Sequence, residues 1–192
     1  MTPEATSRIL LDTGALLTGH FQLSSGLHSD RYVQCALALR HPRHAGSLGA
    51  GIAALFAGDR PTLVAGPALG GVIIAHEVAR ALDVPCIFSE RADGVMALRR
   101  GFSVKPEDRV VLIEDAITTG KSVMELHALI APTGATILGF GSIVDRTGGD
   151  SRLPTPPRSL VTLPLVKYQP ADCPLCRAGS VAIKPGSRPK PG

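Results

Sequence analysis

Residues 110–122 read VVLIEDAITTGKS, and the fold is organised around them. The four apolar residues are typical of a buried strand, and two adjacent carboxylates, Glu114 and Asp115, follow it. After a turn of small and hydroxyl residues, a helix is predicted over residues 121–131. Its apolar side chains recur on one face at Val123, Leu126, Leu129 and Ile130. The stretch therefore predicts a strand, a turn and a helix in immediate succession.

Short apolar runs and segments of helical period alternate along the rest of the chain. Further strands are predicted at residues 62–65, 84–88, 135–144 and 160–166, and helices at 43–57 and 71–82. Residues 5–18 have near-helical spacing, and residues 32–35 fit a strand. This alternation predicts an α/β fold with a mainly parallel central sheet flanked by helices on both faces. Ligands bind at the carboxyl ends of the strands in such sheets. The loops at 66–71 and 114–122 are therefore the candidate ligand-binding loops.

Composition excludes several classes of protein. A chain of 192 residues with 44% hydrophobic and 19% charged residues is of ordinary globular composition and fits one domain. The apolar runs are too short for a membrane span. The first residues lack the basic start and apolar core of a signal peptide, and four cysteines are too few for a disulfide scaffold. We therefore expect a cytoplasmic protein.

The net charge of +4 comes from the end of the chain. Residues 152–192 contain seven lysine or arginine residues, one aspartate and nine prolines, and we expect the tail 167–192 to wrap the surface as an extended segment. A basic region can bind nucleic acid. The chain has no tryptophan and two tyrosines, however, so platforms for stacking bases are scarce. Binding of a small anion is favoured over binding of nucleic acid.

The turn at 118–122 has the chemistry of an anion site. Its backbone N–H groups, the hydroxyls of Thr118, Thr119 and Ser122, and the dipole of the following helix can hold a phosphate. A nucleotide-binding P-loop is excluded because Asp115 stands where that motif needs a glycine. Two carboxylates beside a phosphate site suit a sugar phosphate, because they can accept hydrogen bonds from its vicinal hydroxyls. The alternative is a turn that merely caps the helix.

Residues 114–120, EDAITTG, resemble the phosphoribosyl pyrophosphate (PRPP) signature of the type I phosphoribosyltransferases. The resemblance implies Mg²⁺ as cofactor and a catalytic role for Asp115. It implies that PRPP binds to Glu114, Asp115, Ala116, Ile117, Thr118, Thr119, Gly120, Lys121 and Ser122. The loop at 66–71, GPALGG, is similar to the pyrophosphate loop of that family, which adds Ala68, Leu69 and Gly70. Many relatives carry a lysine at the positions of Gly70 and Ser24, so this chain has fewer cations for pyrophosphate.

Two further segments resemble the orotate phosphoribosyltransferases within that family. Residues 20–32 are similar to the segment that covers the base, which implies that Ser25 and Gly26 contact orotate. Arg146 stands where the family holds the orotate carboxylate, and a guanidinium matches a carboxylate with two parallel hydrogen bonds. Thr118 would also touch orotate. The alternative for residues 20–32 is a simple hairpin turn. The alternative for Arg146 is a surface arginine paired with Asp145.

Residues 89–105 are charged and contain glycine, which predicts an exposed hairpin or a mobile loop. By resemblance this is the lid that closes over the site, often that of a neighbouring subunit. Its candidate catalytic cations are Arg91, Arg99 and Arg100, which can neutralise the departing pyrophosphate. The family's usual run of lysines and a histidine is not visible here. The competing interpretation is a solvated hairpin.

Cys173 and Cys176 have the spacing of half a zinc site. Neither a second pair nor a histidine follows nearby, so we expect a turn without metal and assign no metal ligand. Zinc shared by two tails, or completed by Cys35 or Cys86, is the alternative. His20 and His28 are expected in the segment over the base, within reach of ligand.

Taken together, the resemblance implies a homodimeric enzyme that converts orotate and PRPP to orotidine 5′-monophosphate and pyrophosphate in the synthesis of UMP. Residues 1–192 would form one domain, with about 1–40 and 160–192 contributing a hood and tail. Two alternatives are a phosphoribosyltransferase for another base and a non-catalytic regulator that senses PRPP and binds nucleic acid.

Overall fold

The computed structural model describes residues 1–23, 25–149, 151–164 and 166–185. Ser24 and the end of the predicted tail, 186–192, lie outside them. The described helices are α1 (Pro3–Asp12), α2 (Ala36–Leu39), α3 (Pro42–Phe56), α4 (Gly70–Leu82), α5 (Lys121–Ile130) and α6 (Pro174–Arg177). The described strands are β1 (Leu16–Gln22), β2 (His28–Val33), β3 (Leu63–Pro67), β4 (Cys86–Ala92), β5 (Val95–Leu98), β6 (Arg109–Ile117), β7 (Thr136–Asp145) and β8 (Arg158–Thr162).

The central sheet has six strands in the order β5-β4-β3-β6-β7-β8. All neighbours pair in parallel except β4 and β5, which form an antiparallel hairpin at one edge. We call this pair the edge hairpin. The predicted fold class, a mainly parallel sheet flanked by helices, is confirmed. The carboxyl ends of β3, β6 and β7 lie side by side, so the loops that follow them meet at one edge.

Strand β6 is buried on both faces, which explains its unbroken apolar run. Val111 and Ile113 pack in the core that includes α3 and α4, whereas Val110 and Leu112 pack in the core that includes α5. This alternation follows from the two-residue period of a strand. Each fully buried side chain of this kind contributes about 1.5–3 kcal/mol to folding. The strand that carries Glu114 and Asp115 is thus firmly fixed.

Several boundaries differ from those predicted. Helix α1 ends at Asp12, because Gly14 adopts a positive φ of 69° and β1 begins at Leu16, so the near-helical spacing over residues 5–18 spans two elements. Strand β8 covers Arg158–Thr162 rather than 160–166, since Pro164 has no N–H for the ladder. Strand β4 continues past the predicted 84–88 to Ala92 and pairs with β5, so the hairpin predicted as one alternative for 89–105 is present.

A second, two-stranded sheet is formed by β1 and β2, which we call the hood hairpin. The tail pairs with it on both sides. Ile183 bonds to His20 and Gln22, and Tyr168 exchanges two backbone hydrogen bonds of 2.9 Å with His28. The tail is therefore extended at two points, with the short helix α6 between them. Among the described residues, no helix is both long and apolar enough to cross a bilayer.

Candidate active site

The turn between β6 and α5 encloses a cavity of about 230 Å³, which we call the phosphate cavity. The sequence-predicted residues that line it are Glu114, Ala116, Ile117, Thr118, Thr119, Gly120, Lys121 and Ser122. They converge because the strand stops at Ile117 and the helix starts at Lys121. The first turn of a helix has N–H groups without partners inside the helix, so the cavity can accept an anion.

Gly120 gives this turn its shape. It precedes α5 with a φ of 73°, a conformation that side chains other than glycine rarely adopt. A Cβ atom there would lie 2.8 Å from Leu153 Cδ2. Both conditions favour glycine, and the second shows that the backbone of the turn lies close to Leu153. The resemblance places Gly120 among the residues that bind PRPP, and the structure adds this contact with Leu153.

Glu114 and Asp115 lie at the entrance to the turn, next to the loop after β3. The N–H of Ala116 donates to Asp115 Oδ1 at 2.8 Å, and a Cβ at Gly70 would lie 2.8 Å from the same oxygen. Burial, and then the neighbouring Asp115, raises the pKa of Glu114 to about 8. Burial also raises the pKa of Asp115. A pair of this kind favours a cation or hydrogen-bond donors beside it.

The loop after β3 reaches this pair from the adjacent strand. Its peptide bond between Ala68 and Leu69 is cis, and helix α4 begins at Gly70. The side chain of Leu69 is 88% exposed, so it contributes little to the core. The N–H of Ala68 donates to the Ser89 carbonyl at 2.7 Å. The loop thus presents backbone rather than cationic side chains to the site.

Arg146 follows β7, and its backbone N–H donates to the Ile117 carbonyl at 2.8 Å. Its Nε and Nη2 atoms are buried and find no hydrogen-bond partner among the described residues. Burial lowers the pKa of this guanidinium. The Asp145 carboxylate instead accepts a hydrogen bond from the N–H of Thr147 at 2.8 Å. It does not bond to Nε or Nη2 of Arg146, so the structure does not show the alternative pair of Arg146 with Asp145. Two buried guanidinium nitrogens without partners among the described residues favour an anionic ligand.

Arg146 opens into a second cavity of about 410 Å³, which we call the hood cavity. Its walls come from three places: the hood hairpin with Gln22, Leu23, Ser25, Tyr32 and Val33; the turn with Thr118 and Thr119; and the tail with Lys167, Lys184 and Pro185. Thr118 and Thr119 line both cavities, so a ligand in one is a neighbour of a ligand in the other. Gly26 lies in the hairpin turn with a φ of 82° and is not part of this wall.

Sequence reasoning missed Lys167 and Lys184. The tail was recognised as basic, but nothing in its spacing indicated which lysines face the hood cavity. That placement depends on pairing between Ile183 and the hood hairpin. These two lysines supply positive charge to the hood cavity.

Three arginines in or directly after the edge hairpin, Arg91, Arg99 and Arg100, are exposed. Arg91 forms an ion pair with Glu125 of α5, and Arg100 pairs with Glu90 at 3.0 Å. Arg100 also lies over the ring of Phe88, 5.6 Å from its centre. Arg99 is exposed beside them. None of the three lines either cavity described above.

Comparison with known proteins places this arrangement in a known group. A family model described as the phosphoribosyl transferase domain matches residues 41–175. The chain is 50% identical over 188 residues to the orotate phosphoribosyltransferase of Pelotomaculum thermopropionicum, with 98% of this chain and 99% of that protein covered. It is 49% identical over 180 residues to that of Thermotoga maritima, covering 94% and 96%.

A solved structure agrees with these sequence matches. The crystal structure of orotate phosphoribosyltransferase from Aeropyrum pernix superposes with a TM-score of 0.68 at 26% identity. The superposition covers 82% of this chain and 93% of that one. The structural match therefore extends over most of both chains.

Proposed function

The chain belongs to the orotate phosphoribosyltransferases of the phosphoribosyltransferase family, and we propose that it transfers ribose 5-phosphate from PRPP to orotate. A ring nitrogen of orotate, having lost its proton, forms a bond to the anomeric carbon of the ribose. The bond from that carbon to pyrophosphate breaks. The products are orotidine 5′-monophosphate and pyrophosphate, in the synthesis of UMP.

One observation carries the proposal. The hood cavity, which contains the buried and unpartnered nitrogens of Arg146, shares a wall with the phosphate cavity at Thr118 and Thr119. A carboxylate-bearing base at Arg146 and a phosphate in the turn would place the anomeric carbon between them. Positioning two reactants in this way accounts for much of the rate of such reactions.

Three groups of residues bind the phosphate, the ribose and the pyrophosphate of PRPP. The N–H groups and hydroxyls at 118–122 hold the 5-phosphate, together with the backbone at Ala116 and Ile117. Glu114 and Asp115 accept hydrogen bonds from the ribose hydroxyls, and the net negative charge of the pair stabilises the positive charge that develops on the ribose. The backbone of Ala68, Leu69 and Gly70 faces the pyrophosphate.

Arg146 holds the orotate carboxylate with two parallel hydrogen bonds. Thr118 and Ser25 position the ring beneath the hood, and Gly26, with its positive φ, shapes the turn next to Ser25. Lys167 and Lys184 add positive charge to the same cavity, which favours a dianionic ligand over a neutral base. The positive charge of the hood cavity therefore favours orotate over uracil, because uracil lacks the carboxylate.

Mg²⁺ fits the donor set beside the turn. Glu114 and Asp115 present hard carboxylate oxygens, and burial raises the pKa of both, so a nearby cation would offset the cost of burying their charge. They are the residues that would hold a Mg²⁺ ion arriving with PRPP. The ion would neutralise charge on the pyrophosphate.

Arg91, Arg99 and Arg100 would reach the pyrophosphate as the edge hairpin closes. Closure requires the ion pairs of Arg91 and Arg100 to open, and exposed pairs of this kind contribute about 0–1 kcal/mol. The 69% exposed side chain of Val95 at the tip of the hairpin fits cover by a second subunit. The proposal therefore includes a cytoplasmic homodimer in which residues 1–192 act as one domain.

The loss of orotate absorbance on mixing protein, PRPP and Mg²⁺ tests this function. We expect turnover with orotate and none with adenine, hypoxanthine or uracil measured in parallel. Turnover of another base alone would replace the assigned substrate. Binding of PRPP without turnover of any base, with nucleic acid bound in a salt-dependent way, would support the regulator instead.

A further inference from the structure

Four potential metal ligands meet where the tail crosses the hood hairpin. They are His20 of β1, His28 of β2, and Cys173 and Cys176, which begin and lie in helix α6. One ligand atom from each residue lies within 4.8 Å of every other. We call these residues the hood cluster. None of the four lines the phosphate cavity or the hood cavity.

The separations within the hood cluster fit one tetrahedral ion. Zinc lies about 2.3 Å from thiolate sulfur and about 2.0–2.1 Å from imidazole nitrogen, which requires sulfur–nitrogen edges of about 3.5 Å. Sγ of Cys173 lies 3.5 Å from Nε2 of His20. Sγ of Cys176 lies 3.7 Å from that nitrogen and 3.3 Å from Nδ1 of His28. The two nitrogens are 2.9 Å apart and need to separate by a few tenths of an ångström.

His20 is held in the form that ligates metal. Its Nδ1 lies 3.1 Å from the backbone carbonyl oxygen of Ser180. A carbonyl only accepts hydrogen bonds, so Nδ1 carries the proton and Nε2 directs a lone pair at the cluster. Metal-binding histidines are usually oriented by such a bond from their other nitrogen. The Ser180 hydroxyl, 3.2 Å from the same atom, adds a second contact.

Burial also favours a bound ion over a loose polar contact. Cys173 is fully buried, and His20 and His28 are 6% and 8% exposed. The ligand atoms of these four side chains face one another, with nitrogen–nitrogen and sulfur–nitrogen distances of 2.9–3.7 Å. A divalent cation would satisfy all four lone pairs at once.

We propose that the hood cluster is a structural zinc site that fastens the tail to the hood hairpin. Two sulfurs and two nitrogens in a tetrahedron are the donor set of zinc. Four protein ligands leave no position open for water or substrate, so the ion has a structural role. The Cys-Pro-Leu-Cys turn, which on its own is half of a site, is completed by histidines from the other end of the chain.

The site would control the tail on both sides. Tyr168 precedes Cys173 and pairs with His28, whereas Ile183 follows Cys176 and pairs with Phe21. The tail lysines of the hood cavity, Lys167 and Lys184, each lie next to one of these pairing residues. Zinc would therefore fix the wall that carries them, although the zinc site itself stands independently of the proposed reaction.

The test measures metal in the whole protein. Elemental analysis of protein purified without a metal-affinity step should find about one zinc per chain, as expected for a closed four-ligand site. Metal-stripped protein should take up the same amount again from added Zn²⁺. Cys173→Ser and Cys176→Ser should each lose most of the zinc, while Cys86→Ser, a matched change in β4, should retain it.

Two outcomes would overturn the site: no zinc in the protein as purified together with no uptake by stripped wild-type protein, or full zinc retained by both Cys173→Ser and Cys176→Ser. The first uses the natural sequence, so it does not depend on whether a variant folds. Amide hydrogen exchange then tests the fastening. Removal of zinc should expose the amides of Tyr168 and Ile183 while those of β6 stay protected, and unchanged protection of the tail would refute that role.

Discussion

The phosphate cavity and the hood cluster are built in opposite ways. The phosphate cavity is lined by residues close together in the sequence, 114 and 116–123, and the strand before the turn is buried on both faces. The hood cluster joins residues as far as 156 positions apart, His20 and Cys176. The first site depends on local backbone geometry. The second exists only when the tail has crossed the hood hairpin.

This difference predicts separate responses to damage. Changes in residues 114–122 should alter chemistry or PRPP binding while the hood stays assembled. Changes in the tail should alter the hood cavity while the turn after β6 keeps its shape. The following experiments test that separation, beginning with the largest expected effect.

Asp115→Asn should reduce kcat by about 10²–10³-fold, the range seen when one preorganised group that stabilises the transition state is removed. The amide can still accept the Ala116 N–H, so the fold should survive, as circular dichroism can check. Asp12→Asn, in the exposed pair with Arg8, is the control. Near-normal turnover in Asp115→Asn would reject its role at the ribose.

Arg146→Ala should raise the KM for orotate by about 10–100-fold, corresponding to a charged hydrogen bond of about 1.5–3 kcal/mol. The KM for PRPP should change little, because the guanidinium opens into the hood cavity. Steady-state kinetics with each substrate varied in turn separates the two values. Arg8→Ala serves as the exposed control, and equal loss of both substrates would contradict the assignment.

Glu114→Gln should flatten the pH dependence of stability. In the folded protein burial raises the pKa of Glu114 to about 8, from an ordinary value of 4.5. The folded state therefore binds the proton more tightly, and the free energy of unfolding of the ligand-free protein should fall as pH rises between these values. The largest slope from one proton is about 1.4 kcal/mol per pH unit.

Urea denaturation at several pH values measures this slope. Glu107→Gln, an exposed change in the turn before β6, should keep the wild-type dependence. The same slope in Glu114→Gln and in wild type would show that another group binds the proton. Neither change touches the hood cluster, so Glu114→Gln and Glu107→Gln should contain equal amounts of zinc.

Lys184→Ala should have the smallest effect, raising the KM for orotate by about two- to fivefold, since exposed charge pairs contribute about 0.2–1 kcal/mol. Its side chain is exposed at the rim of the hood cavity, unlike the buried atoms of Arg146. Lys105→Ala, exposed before β6, is the control. An unchanged KM in Lys184→Ala would remove this part of the tail from the binding of orotate.

The sequence predicted the parts of the molecule whose signals are local. The apolar run at 110–113, the acidic pair and the turn before α5 predicted the central strand and the phosphate cavity, because strand period and turn chemistry act over a few residues. The mainly parallel sheet followed from the alternation of elements. The placement of Arg146 beside Thr118 needed the resemblance to the family as well.

The remaining features depend on contacts between distant segments. Cys173 and Cys176 indicated half a metal site, and no rule of spacing connects them with His20 and His28. The expectation that those histidines face the ligand did not take into account that β1 and β2 turn them toward α6. The positions of Lys167 and Lys184 were missed for the same reason, since pairing of the tail with the hood hairpin sets them.

The pairing of the tail with the hood hairpin also has a consequence for synthesis on the ribosome. The N-terminal part of a chain generally folds first, so β1 and β2 emerge long before Tyr168 and Ile183, their partners in the tail. A nascent chain could complete the sheet and the turn after β6 while the wall of the hood cavity is still missing. The protein would thus be able to hold PRPP before it can enclose the base.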